Sequence, residues 1–92
     1  HCSHPAHIYY LLLPSLEART RLLADLRRAL ILATFHYQPL HLSDMGRLFG
    51  GRDGQCPVTE DIADRLVRLP VFFDLSAPDQ ARVVEALRAF RP

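Results

Sequence analysis

The chain contains no lysine and no tryptophan, and its 92 residues include only two cysteines and four glycines. Without lysine there is no side-chain amine to condense with an aldehyde cofactor, so Schiff-base chemistry has to come from outside these residues. Cys2 and Cys56 stand far apart, with neither a CxxC pair nor the density of a disulfide scaffold, so reduced thiols are expected. Strong charge is lacking too. All 11 basic residues are arginine, 10 acids offset them, and a net charge of +1 is too weak a field for nucleic-acid binding. Arg19, Arg21, Arg27 and Arg28 do crowd one segment, but Glu17 and Asp25 dilute them into a solvated helix face. The sequence has no apolar run long enough to span a bilayer and no signal-peptide pattern, which leads us to expect a soluble, cytoplasmic protein. A chain this short is expected to make one domain, residues 1–92, around one core. It opens on His1 rather than Met, and a fragment or processed product is expected.

Apolar residues make up about half of the chain, and their spacing alternates between two periods. Residues 7–13 form an aromatic and aliphatic run stopped by Pro14, which predicts a buried strand. Ser15 follows as a helix cap, and Leu16, Leu22, Leu23, Leu26 and Leu30 lay a stripe along a helix over 16–30, with Glu17 and Arg21 one turn apart as an exposed ion pair. A short strand over 31–35 should then deliver His36 and Tyr37 to its end, where Gln38-Pro39 breaks the pairing. An irregular helical turn over 41–49 and a mobile, glycine-containing loop over 50–55 come next. Val58, Ile62 and Leu66 predict a helix over 57–68 with Thr59 as a possible N-cap, and 69–73 reads as a last strand, at an edge because of Pro70. Ser76 and Asp79 stand at capping-box spacing ahead of a helix with Val83, Val84, Leu87 and Phe90 on one side. The expected fold class is α/β (α+β), a small two-layer domain of about three short strands with three to four helices.

Several segments lie in one order along nearly the whole chain: His7-Ile8-Tyr9-Tyr10, residues 31–41 with Phe35-His36-Tyr37 and Pro39-Leu40-His41, Cys56-Pro57-Val58-Thr59-Glu60, Arg68-Leu69-Pro70-Val71-Phe72, and Leu75-Ser76 before the final helix. In this order and wording the chain resembles the C-terminal small domain of sugar aminotransferases of the DegT/DnrJ group. The resemblance implies the aspartate aminotransferase fold (fold type I), pyridoxal phosphate as cofactor of the parent enzyme, and a homodimer. Phe35 to His41, with Arg47 and Phe49, resemble the branch that aminates a dTDP-linked 4-keto-6-deoxyhexose with glutamate as donor, in cell-surface polysaccharide synthesis. That family usually has glycine where this chain has Leu30, so an altered helix exit or mild strain is expected there.

The resemblance also assigns roles. The small domain closes over the active site, which makes His36 and Tyr37 candidate donors to the phosphate oxygens of a nucleotide-sugar, with His41 a weaker candidate for the same lining; a ring N–H and a phenol suit that task. The plainer alternative is that these side chains only satisfy nearby backbone groups. No catalytic residue and no cofactor site are expected within the chain itself, since the large domain that carries the lysine is absent from it. His1, Cys2, His4 and His7 gather soft-metal ligands near the N-terminus, but no further ligand pair is placed to close a tetrahedron, so no metal is expected and stoichiometric zinc would overturn that view. The rival reading is a free-standing module that binds a nucleotide-sugar or a protein partner without reacting it.

Overall fold

Pro14 and Ser15 set the start of the first helix. In the computed structural model, which describes residues 7–92, Ser15 has extended backbone and its hydroxyl accepts the Ala18 N–H at 3.1 Å. That satisfies one of the donors a helix start leaves open. The helix, α1 (Leu16–Arg28), buries Ala18, Leu22 and Leu26, a four-residue spacing that puts all three on one face. They join Leu13, Ile31 and Val67 in a single buried cluster, with Val83, Leu87 and Phe90 packed at its margin. Full burial of a leucine is worth about 1.5–3 kcal/mol, so Leu22 and Leu26, each 1% exposed, carry much of this small core.

The sheet has three strands, β1 (Tyr9–Leu12), β2 (Thr34–Phe35) and β3 (Leu66–Leu69), in the order β1-β3-β2 and antiparallel throughout. Tyr9 pairs with Leu69 and Leu12 with Leu66 on one side of β3, while Thr34 faces Arg68 and Phe35 faces Val67 on the other. The remaining helices are α2 (Asp44–Leu48), α3 (Pro57–Arg65) and α4 (Ala77–Ala89), with a 3-10 turn at Leu40–Leu42. This is the small α+β domain the sequence predicts.

Several local expectations need correction. The third strand lies at 66–69, not 69–73, and it is central; Pro70 ends it instead of marking an edge. The central position makes Val67 the most deeply buried residue. Correspondingly, α3 stops at Arg65, and Cys56, not Thr59, occupies its N-cap. The first strand is an exposed edge, not a buried strand: Tyr9, Tyr10 and Leu12 all face solvent, and only Leu13 beyond its end is buried. Glu17 and Arg21 form no ion pair among the described residues. Arg21 instead donates to the Arg91 carbonyl at 3.0 Å and sits over the Phe90 ring, tying α1 to the chain after α4. On α4 the cap is as expected, Ser76 accepting the Asp79 N–H and donating to its carboxylate at 2.6 Å, but Val84 points away from the core.

Leu30 leaves α1 with φ +59°, the left-handed region where Cβ crowds the backbone. The Ile31 N–H reaches back to the Leu26 carbonyl at 2.8 Å and the Leu30 N–H to Arg27 at 3.0 Å, the paired bonds of a Schellman turn, and Leu26 and Ile31 meet in the core beneath it. The turn therefore forms with leucine in the place glycine fills most easily. Of the N-terminal His/Cys group only His7 lies among the described residues; His1, Cys2 and His4 lie outside them.

Candidate functional site

The two residues of β2 hold to β3 by their backbone, and the chain then runs outward through His36, Tyr37, Gln38 and Pro39. Gln38 donates to the Leu42 carbonyl at 2.8 Å, which pins this segment to the 3-10 turn that follows. His36 and Tyr37 are both exposed, with tilted rings 5.6 Å apart. The sequence therefore predicted their delivery to a strand end correctly. Clefts open on both sides of the segment. One, of about 560 Å³, lies between residues 36–40 and the apolar face of α3 formed by Val58, Ile62 and Ala63. The other, of about 410 Å³, is more polar and brings Arg19, Asp53, Glu60 and Asp64 beside the same His36 and Tyr37.

His41 lines neither cleft. Its Nε2 lies 2.8 Å from Glu60 Oε1, and because an ionised carboxylate only accepts, Nε2 is the protonated nitrogen. Glu60 also accepts the Gly54 N–H at 2.9 Å and the Cys56 N–H at 3.1 Å. These donors, Gly54 foremost and His41 next, hold the Glu60 carboxyl below the usual carboxylate range. One side chain thus joins the 3-10 turn, the 50–56 loop and the first turn of α3. The same loop, expected to be mobile, is further held by a bidentate Arg47–Asp53 pair at 3.0 and 3.2 Å, in which the guanidinium lowers the Asp53 pKa. Glycine is required at two places for space: a Cβ at Gly46 would overlap the Leu40 carbonyl oxygen, and one at Gly51 the His41 carbonyl oxygen. The loop packs directly on the backbone of the 3-10 turn.

Sequence reasoning placed Glu60 only within a helix start and Arg19 only on a solvated face. An acid in the first turn of a helix that follows Cys-Pro is a readable signal for a side chain reaching back to cap. Nothing local marks Arg19, because its partners, the Ala63 carbonyl at 2.9 Å and the Phe35 ring with its centroid at 5.4 Å, are distant in sequence. Among the described residues no three of His, Cys, Asp and Glu gather as a metal site, and no helix is long and apolar enough to cross a membrane. Among the described residues Cys56 has no disulfide partner.

A short strand that ends in an exposed imidazole and phenol, with an apolar cleft on one side and a polar one on the other, defines a small α+β domain with a ligand-sized opening at its sheet end. The chain belongs to the DegT/DnrJ/EryC1/StrS aminotransferase family, whose pattern matches residues 1–88. It is also 32% identical to the uncharacterized protein MJ1066 of Methanocaldococcus jannaschii, over 96% of this chain and 24% of that protein. The chain spans about a quarter of the length of the curated relative it matches.

Proposed function

We propose that the chain is the C-terminal small domain of a pyridoxal-phosphate-dependent nucleotide-sugar aminotransferase. In the parent, glutamate donates the amino group to a dTDP-linked 4-keto-6-deoxyhexose, as in dTDP-4-amino-4,6-dideoxygalactose transaminase, and a large domain and a second subunit complete the enzyme. The observation that carries this reading is the exposed His36-Tyr37 pair, held over open clefts in a chain of an aminotransferase family. Family membership supports the reaction class; the dTDP-sugar substrate rests on the resemblance of residues 35–41.

The absence of lysine implies a division of labour. A pyridoxal aldehyde needs a lysine amine, and this chain has none, so its residues do not fit covalent attachment and the fragment is inactive alone. Its part is to bind and orient. His36 and Tyr37 donate to phosphate oxygens, while His41, committed to Glu60, contributes by holding the adjoining loop in place. Two features support a missing neighbour. The radius of gyration, 15.5 Å, exceeds the roughly 12 Å of a compact domain of this length. Large apolar side chains also stand in the open, Phe73, Leu30 and Phe49 among them, as they would on a face that packs against another domain.

In the full-length enzyme, replacing His36 and Tyr37 together by Phe should raise KM for the nucleotide-sugar by roughly tenfold or more, the scale of a lost charged hydrogen bond, with a smaller change for the amino donor. Equal or absent effects would remove the pair from the site. Turnover by the 92-residue chain alone would overturn the division of labour.

A further inference from the structure

A sheet ordered β1-β3-β2 leaves β1 with one free edge, and the hydrogen bonding says which backbone groups point there. Leu13 continues the pairing just past β1, its N–H donating to the Arg65 carbonyl at 2.9 Å. In an antiparallel ladder alternate residues exchange bonds with the partner, so Leu11 and Tyr9, opposite Val67 and Leu69, also turn inward to β3. Tyr10 and Leu12 therefore turn their N–H and C=O groups outward. Among the described residues no strand pairs with β1 on that side, and no loop or turn backbone bonds to Tyr10 or Leu12. Their side chains leave the sheet on the face away from the core, because Val67 is fully buried and Leu11 and Leu69 pack against the same cluster. Tyr10 is 53% exposed and Leu12 46%.

Sheet edges are commonly guarded by charges, by proline, by a bulge or by short length. The opposite edge, β2, is guarded by length, having only two residues. The β1 edge has no such guard. From Ile8 to Leu16 the chain carries no charged side chain, Pro14 lies past the end of the strand, and the pairs with β3 run one to one without a bulge.

The edge also fits itself. Turned about a two-fold axis at Leu11, β1 lies antiparallel to its own copy with Tyr10 opposite Leu12 of the second chain, and each such pair exchanges its N–H and C=O bonds. On the open face each phenol ring then lies against a leucine, a favourable cross-strand pair. Charge does not oppose this contact, and the uncharged edge offers nothing to a charged partner. Arg68 stands one strand in, opposite Tyr10. Three strand spacings, about 14 Å, would separate it from its symmetry mate, beyond the roughly 8–10 Å over which salt screens exposed charges.

We propose that β1 is a self-pairing edge, through which two copies of this chain join by Tyr10 and Leu12 into one continuous antiparallel sheet. The proposal stands apart from the nucleotide-sugar reading, since β1 lines neither cleft beside His36 and Tyr37. It needs no residue from outside the chain.

The test is sedimentation equilibrium of the 92-residue chain, with amide hydrogen exchange followed residue by residue. A contact this small is weak and reversible, so the mean mass should double over roughly 10 µM to 1 mM. Over that range the Tyr10 and Leu12 amides should exchange about tenfold more slowly once nine chains in ten are paired, while amides around Leu30 and Phe73, which are also exposed apolar sites, stay unchanged. Tyr10→Pro removes an outward N–H and spares the bonds to β3, and Leu12→Lys places a charge on the edge. Each should abolish dimerisation with an unchanged far-UV circular dichroism spectrum. Leu12→Lys leaves the backbone intact and decides the matter if the proline variant does not fold, and the exchange pattern of the unaltered chain needs no variant. A chain that stays monomeric at millimolar concentration overturns the proposal, as does a dimer that survives Leu12→Lys or a protection pattern centred on Leu30 or Phe73. Protection of Tyr10 and Leu12 that does not depend on concentration also overturns it, because a segment of the same chain then covers the edge. None of these outcomes touches the aminotransferase reading, which fails instead if the His36 and Tyr37 substitutions leave KM unchanged.

Discussion

Replacing Leu30 by glycine should stabilise this protein, although most substitutions of a large apolar residue do the reverse. Leu30 sits at φ +59° as the left-handed residue of the turn that ends α1. Left-handed backbone costs a non-glycine residue about 1–2 kcal/mol, which Leu30→Gly removes. Against this, glycine loses more chain entropy on folding, about 0.4–1 kcal/mol. The side chain itself has little to lose, since Leu30 is 88% exposed. The difference leaves a net gain of about 0.5–1 kcal/mol, and for a domain of this size 1 kcal/mol corresponds to roughly 4–8 °C in Tm. Thermal unfolding followed by far-UV circular dichroism, with urea titration at constant m-value, measures it directly. Leu30→Ala is the control: it keeps the left-handed strain and drops the exposed side chain, so it should gain nothing. If Leu30→Gly leaves Tm unchanged or lowers it, or if Leu30→Ala raises it equally, strain at this turn is not what the φ angle implies.

Glu60 and Gly51 give two further checks on the loop that borders the site. The Glu60 pKa is depressed in the folded chain, so its contribution to stability is complete above its ordinary value and is lost as pH falls through the folded one. The urea midpoint of Glu60→Gln should therefore lie below that of wild type at about pH 7, and the gap should narrow progressively as pH falls below the ordinary glutamate value near 4.3; a gap that stays constant into acid would mean the carboxylate charge is irrelevant. Gly51→Ala drives a methyl into the His41 carbonyl and should cost about 1–3 kcal/mol, the usual scale of overpacking, read as a lower urea midpoint. Wild-type stability in Gly51→Ala would show that the loop yields freely.

The parts of the fold that could be read in advance are those governed by local chemistry. Ser15 and Ser76 precede helices and cap them, because a short hydroxyl beside open N–H groups needs no distant partner. The unusual helix exit at Leu30 was legible by another route, the resemblance to a family that usually has glycine there, and the φ of +59° agrees with it. The third strand was misplaced because Leu66 continues the four-residue spacing of Val58 and Ile62, so 66–69 reads as more helix, with no glycine or proline at the true junction to interrupt it. Pro70 then looked like an edge-strand mark, whereas it ends a strand paired on both sides. Burial misled in the same way: Tyr9, Tyr10 and Leu12 have core composition, yet they form an exposed edge, since composition reports what a residue gains by burial and not whether anything covers it.

The candidate site divides along the same line. His36 and Tyr37 were legible, because a strand followed by a proline fixes where the chain turns outward. The groups that give the cleft its character were not. Glu60 reaches back to Gly54 and Cys56 and across to His41, and Arg19 on α1 meets Ala63 on α3 and Phe35 on β2. The Arg19 contacts join elements that neither helical nor strand periodicity links. Both groups are charges whose meaning depends on what neutralises them. A sequence counts Arg19 and Asp64 as two ordinary members of a balanced set. Only the folded chain separates them from the Arg47–Asp53 and His41–Glu60 pairs and sets both in the lining of one cleft beside an imidazole and a phenol, which a near-zero net charge conceals.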